Sequence, residues 1–252
     1  MDLVETRAGH ARRHPWELAR FHFFHRVLGP AWLAAAPRSV LDIGAGDGWF
    51  SESLGDHLAA DSRMVCWDAN YTDEHLKPFG GAQVDRLTFT REAPDGRYDL
   101  VLLMDVLEHI EDDRGFLAET AGRYPHGDAR ILISVPAWPF LFSRHDAFVR
   151  HCRRYTPRQA RALIEGAGLR IRQGGGLFHG LLPLRALAVA RERVLGDDRP
   201  VKGLGGWSAG PRVTAAVTGV LQTEGALSRW FAMAGLEVPG LSWWALCERP
   251  RW

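Results

Sequence analysis

Residues 40–48, VLDIGAGDG, are the segment best suited to hold a ligand. An apolar run leads into closely spaced glycines, and glycine lets backbone approach a ligand with no Cβ between them. Two ligand classes use such a turn. A dinucleotide needs G-x-G-x-x-G, whose third glycine lets the helix pack on the strand. Counting from Gly44 and Gly46, that place is Trp49, too large for the contact, and no lysine follows to make a P-loop. Asp42 and Asp47 repel a pyrophosphate but suit a cation, such as a sulfonium bearing an α-amino group. The bland alternative is a glycine-rich turn with no ligand.

A second set of residues suits proton removal. A hydroxyl that attacks an activated carbon loses its proton as the bond forms, and a base contributes about 10²- to 10⁴-fold. Histidine is the default base. Of 11 histidines, His145 and His151 follow an apolar strand, at the edge where open α/β sheets bind ligands. Asp146, beside His145, can orient an imidazole, and Tyr155 is another candidate base. Arg144, Arg150, Arg153, Arg154 and Arg158 make a local basic patch, which either braces the loop or recognises phosphate. Asp105, Glu108 and His109 stand at a strand-to-helix turn. A carboxylate pair with an imidazole at that spacing can hold a hard divalent ion. Trp16, Trp138 and Trp207 can wall an acceptor pocket.

The elements that must position these groups follow from periodicity. Residues 16–35 carry apolar groups at helical spacing, broken at Gly29-Pro30. Strands are expected at 39–43, 64–67, 87–90, 98–104 and 129–135, with helices at 49–60 and 113–123 between them. The run YDLVLLM at 98–104 is apolar throughout, as in a strand buried on both faces of a parallel sheet. Alternating strands and helices mean a doubly wound α/β sheet. A helix is expected at 157–167, a strand at 169–173, and a break at Gly174-Gly175-Gly176. Residues 177–195 are apolar but interrupted by Pro183 and Arg185, and 197–210 read as a flexible glycine-rich loop. A helix at 212–234 and a strand at 242–248, completing the sheet as a hairpin, end the chain. The expected division is a helical cap over 1–36 and a main domain over 37–252, with a helical insertion at about 177–236.

Composition narrows the partners. Lys plus Arg is 31 and Asp plus Glu is 30, a net charge of +1 that gives no global field for nucleic acid. Three scattered cysteines suit a reducing cytoplasm and no disulfide framework. Residues 1–15 are too polar for a signal peptide, and no run of 18 apolar residues occurs to span a membrane. The apolar runs at 177–195 and 212–234 are expected to form a lid, a dimer surface or a peripheral membrane contact.

The motifs taken together resemble the class I S-adenosylmethionine-dependent methyltransferases. VLDIGAGDG is similar to the family's first motif. Asp68 stands 20 residues after Gly48, where the family places an acid on the ribose hydroxyls. Residues 98–109, YDLVLLMDVLEH, resemble its fourth strand and the turn after it. Thr90-Arg91-Glu92-Ala93 departs from the acid and apolar residue that often hold the adenine. The resemblance covers about residues 38–136. His14-Pro15-Trp16-Glu17, Arg20, the stretch from Val135 to Thr156, and Pro239-Gly240-Leu241-Ser242 are similar to bacterial members associated with glycan, glycolipid or secondary-metabolite pathways.

The resemblance implies a Rossmann-like seven-stranded sheet, mostly parallel with its last strand antiparallel. It implies S-adenosylmethionine as cofactor, held by Asp42, Gly44, Ala45, Gly46, Asp68, Ala69, Asp105 and Val106. Trp16, Arg20, His109, Trp138 and Arg154 are the implied acceptor contacts, with His145, His151 or Tyr155 as base. Some ubiquinone-pathway O-methyltransferases, which the 98–109 segment also resembles, carry two acids and a histidine at the spacing of Asp105, Glu108 and His109. The wider family often has the same residues without metal, capping the turn, and that metal-free cap is the primary expectation. The expected reaction is O-methylation of a small or glycosylated acceptor, with or without a phosphate. N- or C-methylation is the alternative. A nucleic-acid methyltransferase would need an (N/D)PP(Y/F) signature where this chain has Asp105-Val106-Leu107-Glu108. A cofactor-binding module without catalysis is disfavoured because the first motif is intact.

Overall fold

The computed structural model describes Leu3 and residues 13–77, 83–84, 86–196 and 207–250. Residues 1–12 apart from Leu3, and the part of the expected 197–210 loop up to residue 206, lie outside the described residues.

Among the described residues, eight strands form one sheet: β1 (Ser39–Ile43), β2 (Arg63–Trp67), β3 (Gln83–Val84), β4 (Leu87–Thr90), β5 (Tyr98–Met104), β6 (Pro125–Pro136), β7 (Arg170–Leu177) and β8 (Ser242–Glu248). Their order is β3-β4-β2-β1-β5-β6-β8-β7. β4, β2, β1, β5 and β6 run parallel, and β8 lies antiparallel between β6 and β7. These are the seven expected strands, plus the two-residue edge strand β3, antiparallel to β4.

Among the described residues, nine α-helices flank the sheet: α1 (Pro15–Leu28), α2 (Pro30–Ala35), α3 (Trp49–Gly55), α4 (Asp73–Leu76), α5 (Asp113–Arg123), α6 (Arg144–Phe148), α7 (Pro157–Gly166), α8 (Leu181–Leu195) and α9 (Pro211–Met233). The chain enters α1 through a capping box. His14 Nδ1 accepts from the Trp16 N–H at 3.1 Å, and Glu17 accepts from the His14 N–H at 3.2 Å. Gly29, at φ 89°, breaks α1 from α2.

Side chains alternate along each strand and build two cores. Val40, Leu100, Leu102 and Trp244 join Phe23, Phe24 and Leu221 on the α1/α9 face. Leu41, Val101, Leu103 and Trp243 join Leu117 and Leu163 on the α5/α7 face. Trp243 and Trp244 therefore pack in opposite cores, on an interior strand and not at the sheet edge. β7 continues through Gly174-Gly175-Gly176, where a break was expected. The reason is a close backbone crossing: a Cβ on Gly176 would meet the Val238 carbonyl oxygen at 2.2 Å.

Candidate active site

The glycine turn after β1 is fixed on three sides. Gly44, Gly46 and Gly48 have φ of 69°, 57° and 75°, a region that side chains strain to enter. The Gly44 N–H donates to the Trp67 carbonyl at 2.7 Å, and the Gly46 N–H to Asp68 Oδ2 at 3.1 Å. A Cβ on Gly44 would lie 2.7 Å from Val106 Cγ2, so the turns after β1 and β5 touch. Asp68 is buried, while Ala69 is exposed. Trp49, which disfavoured a dinucleotide, opens α3 and packs against Phe21 of α1.

The two carboxylates of this turn are not left facing a ligand. Asp42 is sealed beneath it and accepts from Ser51 Oγ, and burial pushes its carboxyl up to about 6. Asp47 is ion-paired with Arg13, whose guanidinium lies 5.0 Å from the Trp49 ring. The attraction for a cation expected of this pair is thus largely spent inside the protein, and Asp42 acts as a brace under the turn.

At the C-terminal ends of β5 and β6, Arg20 of α1 reaches across. Its Nη2 lies 2.7 Å from Asp105 Oδ2 and donates to Ser134 Oγ at 2.7 Å. Trp16 lies under the guanidinium, 4.9 Å from ring centre to Cζ. Trp16, Arg20 and Asp105 are therefore brought together. Trp138 stands after β6 and donates from Nε1 to the Gly240 carbonyl. Trp207 packs instead on His14, with ring centres 5.0 Å apart.

The loop after β6 carries the base candidates, and the structure sorts them. His151 Nδ1 lies 2.9 Å from Asp146 Oδ1, and His151 Nε2 lies 3.9 Å from Glu108 Oε1. Asp146 thus orients His151, not its neighbour His145. α6 ends before Val149, and Arg150, at φ 62°, turns the chain so that residue 151 folds back on 146. Burial raises the Asp146 carboxyl, but the His151 hydrogen bond and the Arg154 charge more than offset this, so it stays well below the usual range. His145 is half-buried on α6, and burial, then Arg185, lowers its ring pKa.

Two expectations are corrected here. Tyr155 points into the core, its hydroxyl 2.8 Å from Asp113 Oδ2 and 3.0 Å from the Leu107 carbonyl. Burial pushes its pKa far up, so it holds its proton and is not placed as a base. Arg154 is buried, donating to Asp146 at 2.7 Å and to the Ala137 carbonyl at 3.2 Å, and is spent on structure. Arg153 likewise pairs with Asp113 and the Glu111 carbonyl.

Glu108, expected to cap the turn, is fully buried, and neither carboxyl oxygen has a hydrogen-bond partner among the described residues. Burial, reinforced by the charge of Asp105, holds its pKa well above the usual value. Its carboxylate, His109 and His151 offer ligand atoms within 4.8 Å of one another. Asp105, expected in that set, is engaged by Arg20 instead. The His151 pairing, Ser134 and Arg185 escaped the sequence reading. The histidine returns to its acid through a non-glycine turn that leaves no composition signal.

Comparison with known proteins gives consistent findings. The sequence profile of a methyltransferase domain matches residues 10–173. A curated relative, the ubiquinone biosynthesis O-methyltransferase of Paramagnetospirillum magneticum, is 28% identical over 160 residues, covering 55% of this chain and 62% of the relative. The chain thus spans less than two thirds of that relative. Among solved structures, a SAM-dependent methyltransferase from Archaeoglobus fulgidus superposes with a TM-score of 0.51 at 16% identity, over 92% of this chain and 94% of that one. The plantazolicin methyltransferase BpumL gives 0.55 at 13% identity, over 94% and 85%. These likenesses show the Rossmann-like methyltransferase fold. Among the described residues, no helix is long and apolar enough to cross a membrane.

Proposed function

Because the chain belongs to the methyltransferase-domain family, and is a class I S-adenosylmethionine-dependent enzyme, we propose that it methylates a hydroxyl of a small or glycosylated molecule, with His151 as general base. The observation that carries this reading is the 2.9 Å pair between Asp146 Oδ1 and His151 Nδ1, beyond the end of β6. The curated relative's name supports oxygen as the accepting atom.

The residues present fit the cofactor. The left-handed glycine turn keeps side chains out of the way, and Asp68 offers a carboxylate at the end of β2. Gly44, Ala45, Gly46 and Val106 would hold the methionine end, Asp105 the amino group, and Asp68 with Ala69 the ribose diol. The cofactor supplies an activated methyl carbon on a sulfonium. The protein's task is then alignment and proton removal. With Nδ1–H donating to Asp146, the lone pair of His151 lies on Nε2, where it takes the acceptor's proton. Trp16, Arg20 and Trp138 wall the acceptor, and His145 is the reserve candidate.

Methyl transfer to a panel of phenols and glycosides, read by mass spectrometry, tests this. His151→Ala should lower kcat by about 10²- to 10⁴-fold, with calorimetric affinity for S-adenosylhomocysteine unchanged. Tyr155→Phe should keep turnover. Gly46→Val should abolish cofactor binding. A loss below about tenfold for His151→Ala would overturn the base assignment.

One observation favours a second reading. The orphaned Glu108 carboxyl, with His109 and His151, has the donor set for a divalent cation that would acidify the acceptor hydroxyl. His151 would then be a ligand. Loss of activity in a chelator, restored by a divalent ion, would select this reading.

A further inference from the structure

Asp146 is held by more than its own loop. Oδ1 takes His151 Nδ1 at 2.9 Å and Arg154 Nε at 2.7 Å. Oδ2 takes the Ser143 N–H and Oγ, both at 3.0 Å, and faces Arg185 Nη2 at 3.4 Å. Arg185 also donates to Ser143 Oγ. It comes from α8, outside the residues 10–173 that match the methyltransferase domain.

α8 is pinned to this loop at two further points. Arg193 Nη2 donates to the Phe140 and Phe142 carbonyls at 2.8 and 3.1 Å, and Glu192 accepts from the Arg144 N–H at 3.0 Å. Three polar side chains on one face of α8 thus grip the stretch 140–146, while Leu184, Leu187, Val194 and Leu195 stay exposed. A carboxylate gripped at both oxygens cannot swing, and a ring hydrogen-bonded to it keeps one orientation and one tautomer. Arg185 keeps about a quarter of its side chain exposed, so its contact with Asp146 can be removed without opening the core.

We propose that Arg185 is a positioning residue. From α8 it fixes the second oxygen of Asp146, and through Asp146 it sets the ring of His151. The inference rests on the reading of His151 as the base. It makes α8 part of the reaction's machinery rather than a cover over the sheet.

Long-range proton–nitrogen NMR of the imidazoles, with His151 assigned by its loss in His151→Ala, reads the effect without any acceptor. The wild-type ring should show one protonated Nδ1 and one bare Nε2. Arg185→Met should move both signals toward the tautomer average, and Arg185→Lys should move them back. On the phenol or glycoside turned over fastest, Arg185→Met should lower kcat by about 10- to 100-fold, the range for partners standing behind a functional side chain. Affinity for S-adenosylhomocysteine should hold. In a His151→Ala background, Arg185→Met should cost less than about twofold, since residues acting as a unit are non-additive.

Arg185→Gln replaces Arg185→Met should the latter unfold. Unchanged His151 signals in Arg185→Met, or the same kcat loss with and without His151, would overturn the inference and leave the base assignment standing. An active His151→Ala enzyme would instead sink the base assignment, and the inference with it.

Discussion

Arg20 Nη2 lies 2.7 Å from Asp105 Oδ2, so a helix that precedes the first strand locks the turn after β5. Asp105 needs that lock. Its φ of 59° is left-handed, a conformation that costs a non-glycine residue about 1–2 kcal/mol. Ser134 Oγ adds a 2.9 Å hydrogen bond from β6, and Arg20 is itself steadied by the rings of Trp16 and Phe24. Two elements, α1 and β6, thus converge on one left-handed residue, at the edge where methyl transfer is proposed.

Arg20→Met keeps the apolar stem under the aromatic rings and deletes the charge. Asp105 is only partly exposed, so it loses its partner without full rescue by water. Stability should fall by about 1–3 kcal/mol, and S-adenosylhomocysteine should bind several-fold more weakly as the Asp105 turn loosens. Thermal unfolding and calorimetry measure the two effects. Wild-type values in both would mean that Ser134 alone holds the turn.

How much of this was legible in the sequence depended on whether the cause was local. β1, β5 and β8 have the bounds expected from the sequence, because each is an interior strand whose buried residues are mostly apolar and form a contiguous run. β6 starts four residues earlier than expected, at Pro125, because residues 126–128 are exposed and break the apolar run by which the strand is recognised. The sequence predicts that β7 ends at its glycines, because the backbone that needs them lies on the far segment at residues 238–240. The same limit applies at the site. The glycine turn is contiguous and was legible. Arg185, by contrast, reaches Asp146 from a helix 39 residues further on, and its role could not be read from spacing.

Asp42 gives the fold a specific response to pH. Burial lifts its carboxyl to about 6, against the ordinary 3.8. An acid whose folded pKa is raised holds its proton more tightly when folded. Its contribution is full below the unfolded value and is lost as pH rises through the folded one. Relative to Asp42→Asn, the wild type should therefore lose about 3 kcal/mol between about pH 4 and pH 7. Urea midpoints of both proteins across that window give the difference. Parallel profiles would show that Asp42 ionises freely, and that Ser51 suffices to hold its charged form.

Two glycines should respond to the same substitution with opposite signs. A Cβ on Gly240 would stand 2.3 Å from both the N and O atoms of Leu177, a clash with backbone that no rotamer relieves. Gly240→Ala must push the stretch before β8 away from β7 and disturb the Trp138 indole, which donates to the Gly240 carbonyl. A loss of about 3 kcal/mol or more is expected, at the upper end for overpacking. Gly122 sits within α5, exposed, with nothing within 4 Å of its would-be Cβ. There Ala restricts the unfolded chain and favours the helix, so Gly122→Ala should add about 0.5–1 kcal/mol. Chemical denaturation of both variants decides the matter. A neutral Gly240→Ala would mean that the two segments can separate at no cost, and that the crossing does not hold β7 in the sheet.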